Sequence, residues 1–165
     1  MIYLKELTNK DVSKIYLRWM NDHKVHKFTE QKNKKHTLKN IYKFVEQKRK
    51  SKDEFLYGIF LKKNKEHVGN IKLGPINKIH KNADISYFIG NKSYWRKGYT
   101  TLAIAKIIKI AKKKGVKKLQ AGSYKMNVGS KKALKKNKFK LEAILKSQIL
   151  FKKKRYNSYL YGLIL

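Results

Sequence analysis

Cysteine is absent from this chain of 165 residues, which excludes disulfides and thiolate metal sites and leaves no basis for a zinc framework. Acidic residues are scarce, with 10 Asp and Glu against 43 Lys and Arg, a formal net charge of +33 and a pI near 10.2. Proline occurs once, at Pro75, and neither a repeat nor a linker-like segment interrupts the pattern. No run approaches the roughly 18 to 20 uninterrupted apolar residues of a membrane span. Met1-Ile-Tyr-Leu-Lys-Glu leads into a strand pattern rather than a signal peptide, so a cytoplasmic protein is expected. The five histidines, His23, His26, His36, His67 and His80, show no metal-ligand spacing; they read as surface or loop residues, and no metal is expected.

A field of this size attracts almost any polyanion. Arginine is itself rare, at Arg18, Arg49, Arg96 and Arg155 only. Selective recognition of phosphate or bases uses the planar arginine fork more freely. Lysine dominance beside many Asn and Ile also fits a coding bias toward A and T. On either account the surface repels polyamines and favours anionic small molecules, with nucleic acid bound only non-specifically.

The length suits one domain, 1–165, with a single core. Apolar spacing predicts a strand at 2–7, a helix from Val12 to about Asn21, and a second helix capped by Thr37 that buries Leu38, Ile41, Tyr42, Phe44 and Val45. A hairpin follows, 54–61 with 67–73, and Gly74-Pro75 marks its exit. A strand at 83–89 precedes a long helix that Gly115 stops; then come a strand at 116–124, a short helix at 130–137, and a closing hairpin, 143–151 with 159–165, across a basic turn at 152–157. The order β-α-α-β-β-β-α-β-α-β-β implies an α/β (α+β) domain with a mixed, mostly antiparallel sheet of six to seven strands and about four helices, one of them a crossover.

The crossover begins with Ser93-Tyr-Trp-Arg-Lys-Gly-Tyr-Thr-Thr-Leu-Ala103, a glycine-centred basic turn between strand and helix. The first N–H groups of that helix lack intrahelical acceptors. With the helix dipole, Arg96 and Lys97, they suit a pyrophosphate.

These elements and residues resemble the GNAT N-acetyltransferase superfamily, in which a Gln/Arg-x-x-Gly-x-Gly/Ala turn wraps the pyrophosphate of acetyl-CoA. The six positions here are Trp95-Arg96-Lys97-Gly98-Tyr99-Thr100; the initial Trp95 is similar to the branch that includes ribosomal-protein N-terminal acetyltransferases. Asn127-x-x-Ser130 falls where the family contacts the pantetheine arm and phosphates of the coenzyme. The resemblance implies acetyl-CoA as co-substrate, held by Trp95 to Thr101, Asn127 and Ser130, and by two central strands that splay around it. An N–H near Phe88 or Ile89 would meet the thioester oxygen.

For the catalytic base the resemblance favours Asp84, a rare acid within an apolar strand, with His80 as the second candidate. The family's usual acid, a tyrosine seven residues after the Asn, is replaced by Leu134, which leaves Tyr124 or water to protonate the thiolate. Trp19, Asn21, His23, Asn70 and His80 are expected to face the acceptor. The pattern Gly69-Asn-Ile-Lys-Leu-Gly-Pro-Ile76 with Ala83-Asp-Ile85 looks like a subgroup acting on nucleotide-linked amino sugars of bacterial surface glycans. The implied activity is acetylation of a UDP-4-amino-sugar by a monomer or homodimer. The alternatives are acetylation of a protein N-terminus and an inactive nucleic-acid-binding module on the same fold.

Overall fold

The computed structural model describes residues 1–32 and 34–165. The chain runs β1 (Ile2–Glu6), α1 (Lys14–Asn21), α2 (Leu38–Lys50), β2 (Phe55–Leu61), β3 (His67–Asn77), β4 (Asn82–Ile89), α3 (Tyr99–Lys113), β5 (Lys118–Tyr124), α4 (Val128–Lys136), β6 (Lys140–Phe151) and β7 (Lys154–Ile164). The strands form one seven-stranded sheet in the order β1-β2-β3-β4-β5-β7-β6. Every neighbouring pair is antiparallel except β4 and β5, which lie parallel because α3 carries the chain back between them.

Side-chain alternation along the strands divides the core between the two faces of the sheet. Ile59, Ile71, Ile85, Leu119 and Ala121 share one buried cluster with Ala103, Ile104 and Ile107 of α3 and Leu134 of α4. Leu56 and Phe60 share the other with Tyr16 and Trp19 of α1 and Ile41 and Val45 of α2. The two helices of this second layer start where their sequence supplies caps. Ser13 Oγ accepts from the Tyr16 N–H at 3.2 Å, and Thr37 forms a reciprocal capping box with Asn40. Such caps satisfy backbone donors that the first turn leaves unpaired.

Three expectations are revised. β3 continues through Gly74-Pro75 to Asn77, because Ile76 still pairs with Ala83 across a bulge and its N–H bonds the Asp53 carbonyl at 2.8 Å. The last hairpin turns tightly at Lys152 and Lys153, both with positive φ, so β7 begins at Lys154 rather than near Tyr159. On α2, Ile41, Val45 and Lys48 take the buried side, while Phe44 remains 40 % exposed.

The feature that matters most for function is where β4 and β5 part. Their pairing covers only Asn82↔Lys118, Ala83↔Leu119 and Asp84↔Gln120. Beyond Asp84 the two strands diverge, leaving the edges of both open toward each other, as the resemblance implied.

Candidate active site

The donor end is built at the wide mouth of that splay. After β4 ends at Ile89, a short 3-10 turn at Lys92–Tyr94 leads to Gly98, which adopts φ 80° and ψ 0° as the N-cap of α3. This left-handed conformation is one that glycine takes without steric cost. A Cβ placed there would meet no atom within 4 Å, so the backbone is open to a ligand on that side. No side chain caps the helix among the described residues, and its first turn follows the exposed Arg96 and Lys97. These groups fit the diphosphate of a coenzyme. Trp95 plays a positioning part: its Nε1 donates to the Ile89 carbonyl at 2.8 Å, tying the turn to the end of β4.

Asn127 and Ser130 are brought together at the start of α4, where Asn127 Oδ1 accepts from the Ser130 N–H at 3.2 Å. Ser130 Oγ lies 2.9 Å from the Tyr87 hydroxyl, linking α4 to β4 across the splay. Burial pushes the Tyr87 phenol up to about 12, keeping it a neutral hydrogen-bonding group.

A cleft of about 800 Å³ runs from this point under the segment joining α1 to α2. Tyr87 and Phe88 of β4, Gly122 to Tyr124 of β5, Asn127 capping α4 and Ser130 within it line one side. His26, Phe28, Glu30, Lys34, Lys35 and His36 line the other, together with Asn40 and Phe44 of α2 and Met20 of α1. The segment is held down across the sheet. Phe28 packs on Tyr124 and Phe151, each with ring centroids 6.1 Å apart, and Lys32 Nζ reaches the Leu150 carbonyl at 3.2 Å.

Several residues singled out in the sequence lie elsewhere. Asp84 and His80 do not line this cleft. Asp84 sits at the closed end of the splay, paired with Gln120, and fronts a separate hollow of about 290 Å³ formed with Pro75 to Asn77. Partial burial raises its carboxyl above the usual range, opposed by Lys72, but the residue is exposed, belongs to the last β4–β5 pair itself, and fronts the smaller hollow rather than the cleft. His80 is exposed in the β3–β4 turn, where its N–H bonds Asn77 Oδ1 at 2.9 Å. Trp19 is 7 % exposed and belongs to the core, packed against Gly90 and His67. Asn21 serves the backbone, with its amide bonding the Leu17 and His36 carbonyls and its Oδ1 accepting from the His36 N–H. His23 is exposed and outside the cleft.

Asn70 does line the cleft; it is 2 % exposed, with Oδ1 2.7 Å from His67 Nε2. Tyr124 also reaches it, but its hydroxyl donates to Glu30 Oε1 at 2.7 Å. Burial, and after it Glu30, raise the phenol well above its ordinary value. A proton held this way is poorly placed for transfer to a thiolate, so the direct acid role is not favoured by the geometry.

The residues that the sequence did not reveal are His26, His36, Glu30 and Phe44. His26 is 2 % exposed rather than superficial, and burial followed by the neighbouring His36 lowers its imidazole to about 4, with Asp22 opposing. Burial and then Lys34 also lower His36. Both rings carry a buried Nε2 with no hydrogen-bond partner among the described residues.

The fold is shared with known acetyltransferases. The ribosomal L7/L12 α-N-protein acetyltransferase RimL, in complex with coenzyme A, matches at 16 % identity with a TM-score of 0.88, covering 99 % of this chain and 94 % of that one. The spermidine N-acetyltransferase from Vibrio cholerae, in complex with CoA and spermine, matches at 14 % identity and 0.88, covering 99 % and 95 %. The microcin C7 self-immunity acetyltransferase MccE, in complex with acetyl-CoA and AMP, matches at 21 % identity and 0.84, covering 99 % and 92 %. No curated protein sequence matches the chain. The family model described as the acetyltransferase (GNAT) domain matches residues 2–140, most of the length. With the open glycine turn and the splayed strands in place, the chain belongs to the GNAT acetyltransferase family and is an acetyl-CoA-dependent N-acetyltransferase.

Proposed function

We propose that this enzyme moves the acetyl group of acetyl-CoA to a primary amine on a nucleotide-linked amino sugar of the UDP-4-amino-sugar type. The pyrophosphate of the donor rests on the N–H groups around Gly98 with Arg96, Lys97, Tyr99, Thr100 and Thr101 alongside. Its pantetheine arm passes Asn127 and Ser130 into the splay, and the thioester comes to Phe88 and Ile89, where an unpaired backbone N–H of the open β4 edge meets the oxyanion.

The observation that carries the acceptor is Phe44. The Phe44 ring is 40 % exposed on the cleft wall, with Lys48 Nζ 5.3 Å from its centroid, and offers a surface on which a base can stack, while Lys34 and Lys35 line the same cleft and supply cations for a diphosphate. A nucleotide diphosphate has both complements. The charge points the same way, since a chain with a formal net charge of +33 disfavours a polyamine acceptor despite its structural likeness to a spermidine acetyltransferase. MccE, whose structure holds acetyl-CoA and AMP, shares this fold. Acetyl-CoA and nucleotide sugars are both cytoplasmic metabolites, and we place the reaction there.

A panel of UDP-4-amino sugars, a ribosomal-protein N-terminal peptide and spermidine, each with acetyl-CoA, tests the reading by release of free thiol and a mass gain of one acetyl group. Transfer to a UDP-amino sugar is the expected result. Transfer to the peptide alone would replace it with N-terminal acetylation.

A further inference from the structure

Tyr124 fixes the place of Glu30, the one carboxylate that lines the cleft among the described residues. The last β4–β5 pair is Asp84↔Gln120, so Phe88 and Tyr124, each four residues further along, lie at the same level on the two diverging strands. The segment joining α1 to α2 spans that gap. The His26 ring stands edge-on to Phe88 with centroids 4.9 Å apart, Phe28 packs on Tyr124, and the Tyr124 hydroxyl donates to Glu30 Oε1 at 2.7 Å. Lys32 Nζ approaches the same phenolic oxygen at 3.4 Å and, as an ammonium, can only donate to it. Glu30 is itself exposed as well as lining the cleft, so a molecule held there can reach its carboxylate. A tether to Tyr124 needs only a neutral acceptor, which glutamine would supply equally well. The negative charge is left over, in a chain with 10 acidic residues against 43 basic ones, at the level of the splay where the thioester would be held.

We infer that Glu30 is a catalytic residue that binds the acceptor as its ammonium and takes the protons it must lose; this rests on the thioester lying at Phe88 and Ile89 and on a primary-amine acceptor, as proposed above. A primary ammonium has no lone pair with which to attack. It donates to Oε2, the oxygen that Tyr124 does not hold, and one proton moves to the carboxylate, which passes it to water on its exposed side. The freed lone pair attacks the thioester carbon, and the C–N bond forms as the carbonyl oxygen takes the negative charge. The adduct nitrogen loses its second proton by the same route, the carbonyl re-forms, and the C–S bond breaks with its electron pair on sulfur. One of the two protons returns through water to the thiolate and the other stays in solution. Ammonium and thioester become amide, thiol and one released proton, and Glu30 is unchanged. The charged and titratable groups that share the cleft with it are His26, Lys34, Lys35 and His36 on its own segment, Tyr16 on α1, Lys72 on β3, Tyr87 on β4 and Tyr124 on β5, with Lys32 beside Tyr124.

The test uses the full-length protein and Glu30→Gln, which keeps an acceptor for Tyr124 and removes the charge. Acceptors are the UDP-4-amino sugars, the ribosomal-protein N-terminal peptide and spermidine, and whichever is acetylated serves. Transfer to the peptide alone ends the nucleotide-sugar reading, while Glu30 is still tested on that peptide. Glu30→Gln should lower kcat/KM by about 100-fold at pH 7 and leave acetyl-CoA affinity within about twofold of wild type. The deficit should shrink as pH rises toward the acceptor's own pKa, because an amine already neutral no longer needs the base. Glu30→Asp should restore part of the rate. A second readout needs no turnover: in protein carrying 13C at its glutamate carboxyls, the Glu30 signal, assigned by its loss in Glu30→Gln, should shift more with ethylammonium chloride than with an equal concentration of sodium chloride. Equal kcat/KM in wild type and Glu30→Gln, a deficit that does not change with pH, loss of acetyl-CoA binding in the variant, or equal shifts with the two salts would each overturn the catalytic role.

Discussion

The indole of Trp95 donates to the carbonyl of Ile89 at 2.8 Å, so the residue that opens the Gly98 turn is fastened to the last residue of β4. One hydrogen bond thereby couples the two ends of the donor site, the turn that would hold the pyrophosphate and the strand edge that would hold the thioester. Trp95→Phe keeps an aromatic ring and removes only the donor. A neutral hydrogen bond of this kind contributes about 1 kcal/mol to stability, so the variant should melt roughly 2–4 °C lower, and acetyl-CoA should bind up to about fivefold more weakly in calorimetry as the turn loosens. An unchanged dissociation constant would show that the fastening plays no part in donor binding.

Gly90 follows that carbonyl and lies against the face of the Trp19 indole, where an added Cβ would collide with the ring. Trp19 cannot step aside, because Tyr16 and His67 pack around it at centroid separations of 6.3 and 5.1 Å. Gly90→Ala should therefore destabilise the enzyme by about 2 kcal/mol, the usual scale for overpacking a filled core. In a domain of this size that corresponds to a melting temperature lower by roughly 4–8 °C. A melting temperature within a degree of wild type would mean that the Trp19 pocket yields more readily than its contacts suggest.

The turn at Gly98 and the cap at Asn127 were legible in the sequence because their signals are local. Gly98 before a helical repeat, and Asn127 three residues before Ser130, encode turn and cap geometry within a few residues. The acceptor side depends on contacts between distant segments, and there the sequence reading failed in instructive ways. Trp19 looked available for substrate, yet Gly90, seventy-one positions later, completes its enclosure. Asp84 interrupts an apolar strand, yet it is exposed and fronts a separate hollow with Pro75 to Asn77, whose position on β3 its local sequence does not show. The spacing on α2 was read as burying Tyr42, Phe44 and Val45 with Ile41, and packing on β2 buries only Val45 of those three. His26 carried no local motif; its burial comes from the way its segment folds back onto Phe88.

Glu54 offers a test of how a chain so short of acids uses one. Its carboxylate bridges Lys48 of α2 and Lys72 of β3, the latter at 2.5 Å, and Lys48 is 8 % exposed. Burial alone would raise the carboxyl, but the hydrogen bonds and charges of the two lysines outweigh it and hold it below the usual glutamate range. A group whose folded value is depressed releases its proton more readily in the folded state. Its contribution is therefore complete above the unfolded value, about 4.3, and is lost as pH falls through the folded one. Glu54→Gln should cost about 2 kcal/mol at pH 7 in urea unfolding, since it leaves Lys48 buried without its counter-charge. As pH falls below 4, wild type loses this advantage while the variant has none to lose, and the gap between them should narrow to under about 0.5 kcal/mol near pH 3. Depressed carboxyls at Asp11 and Asp22 are common to both proteins and cancel in the difference. A gap of the same size at both pH values would show that Glu54 acts through packing rather than through its charge.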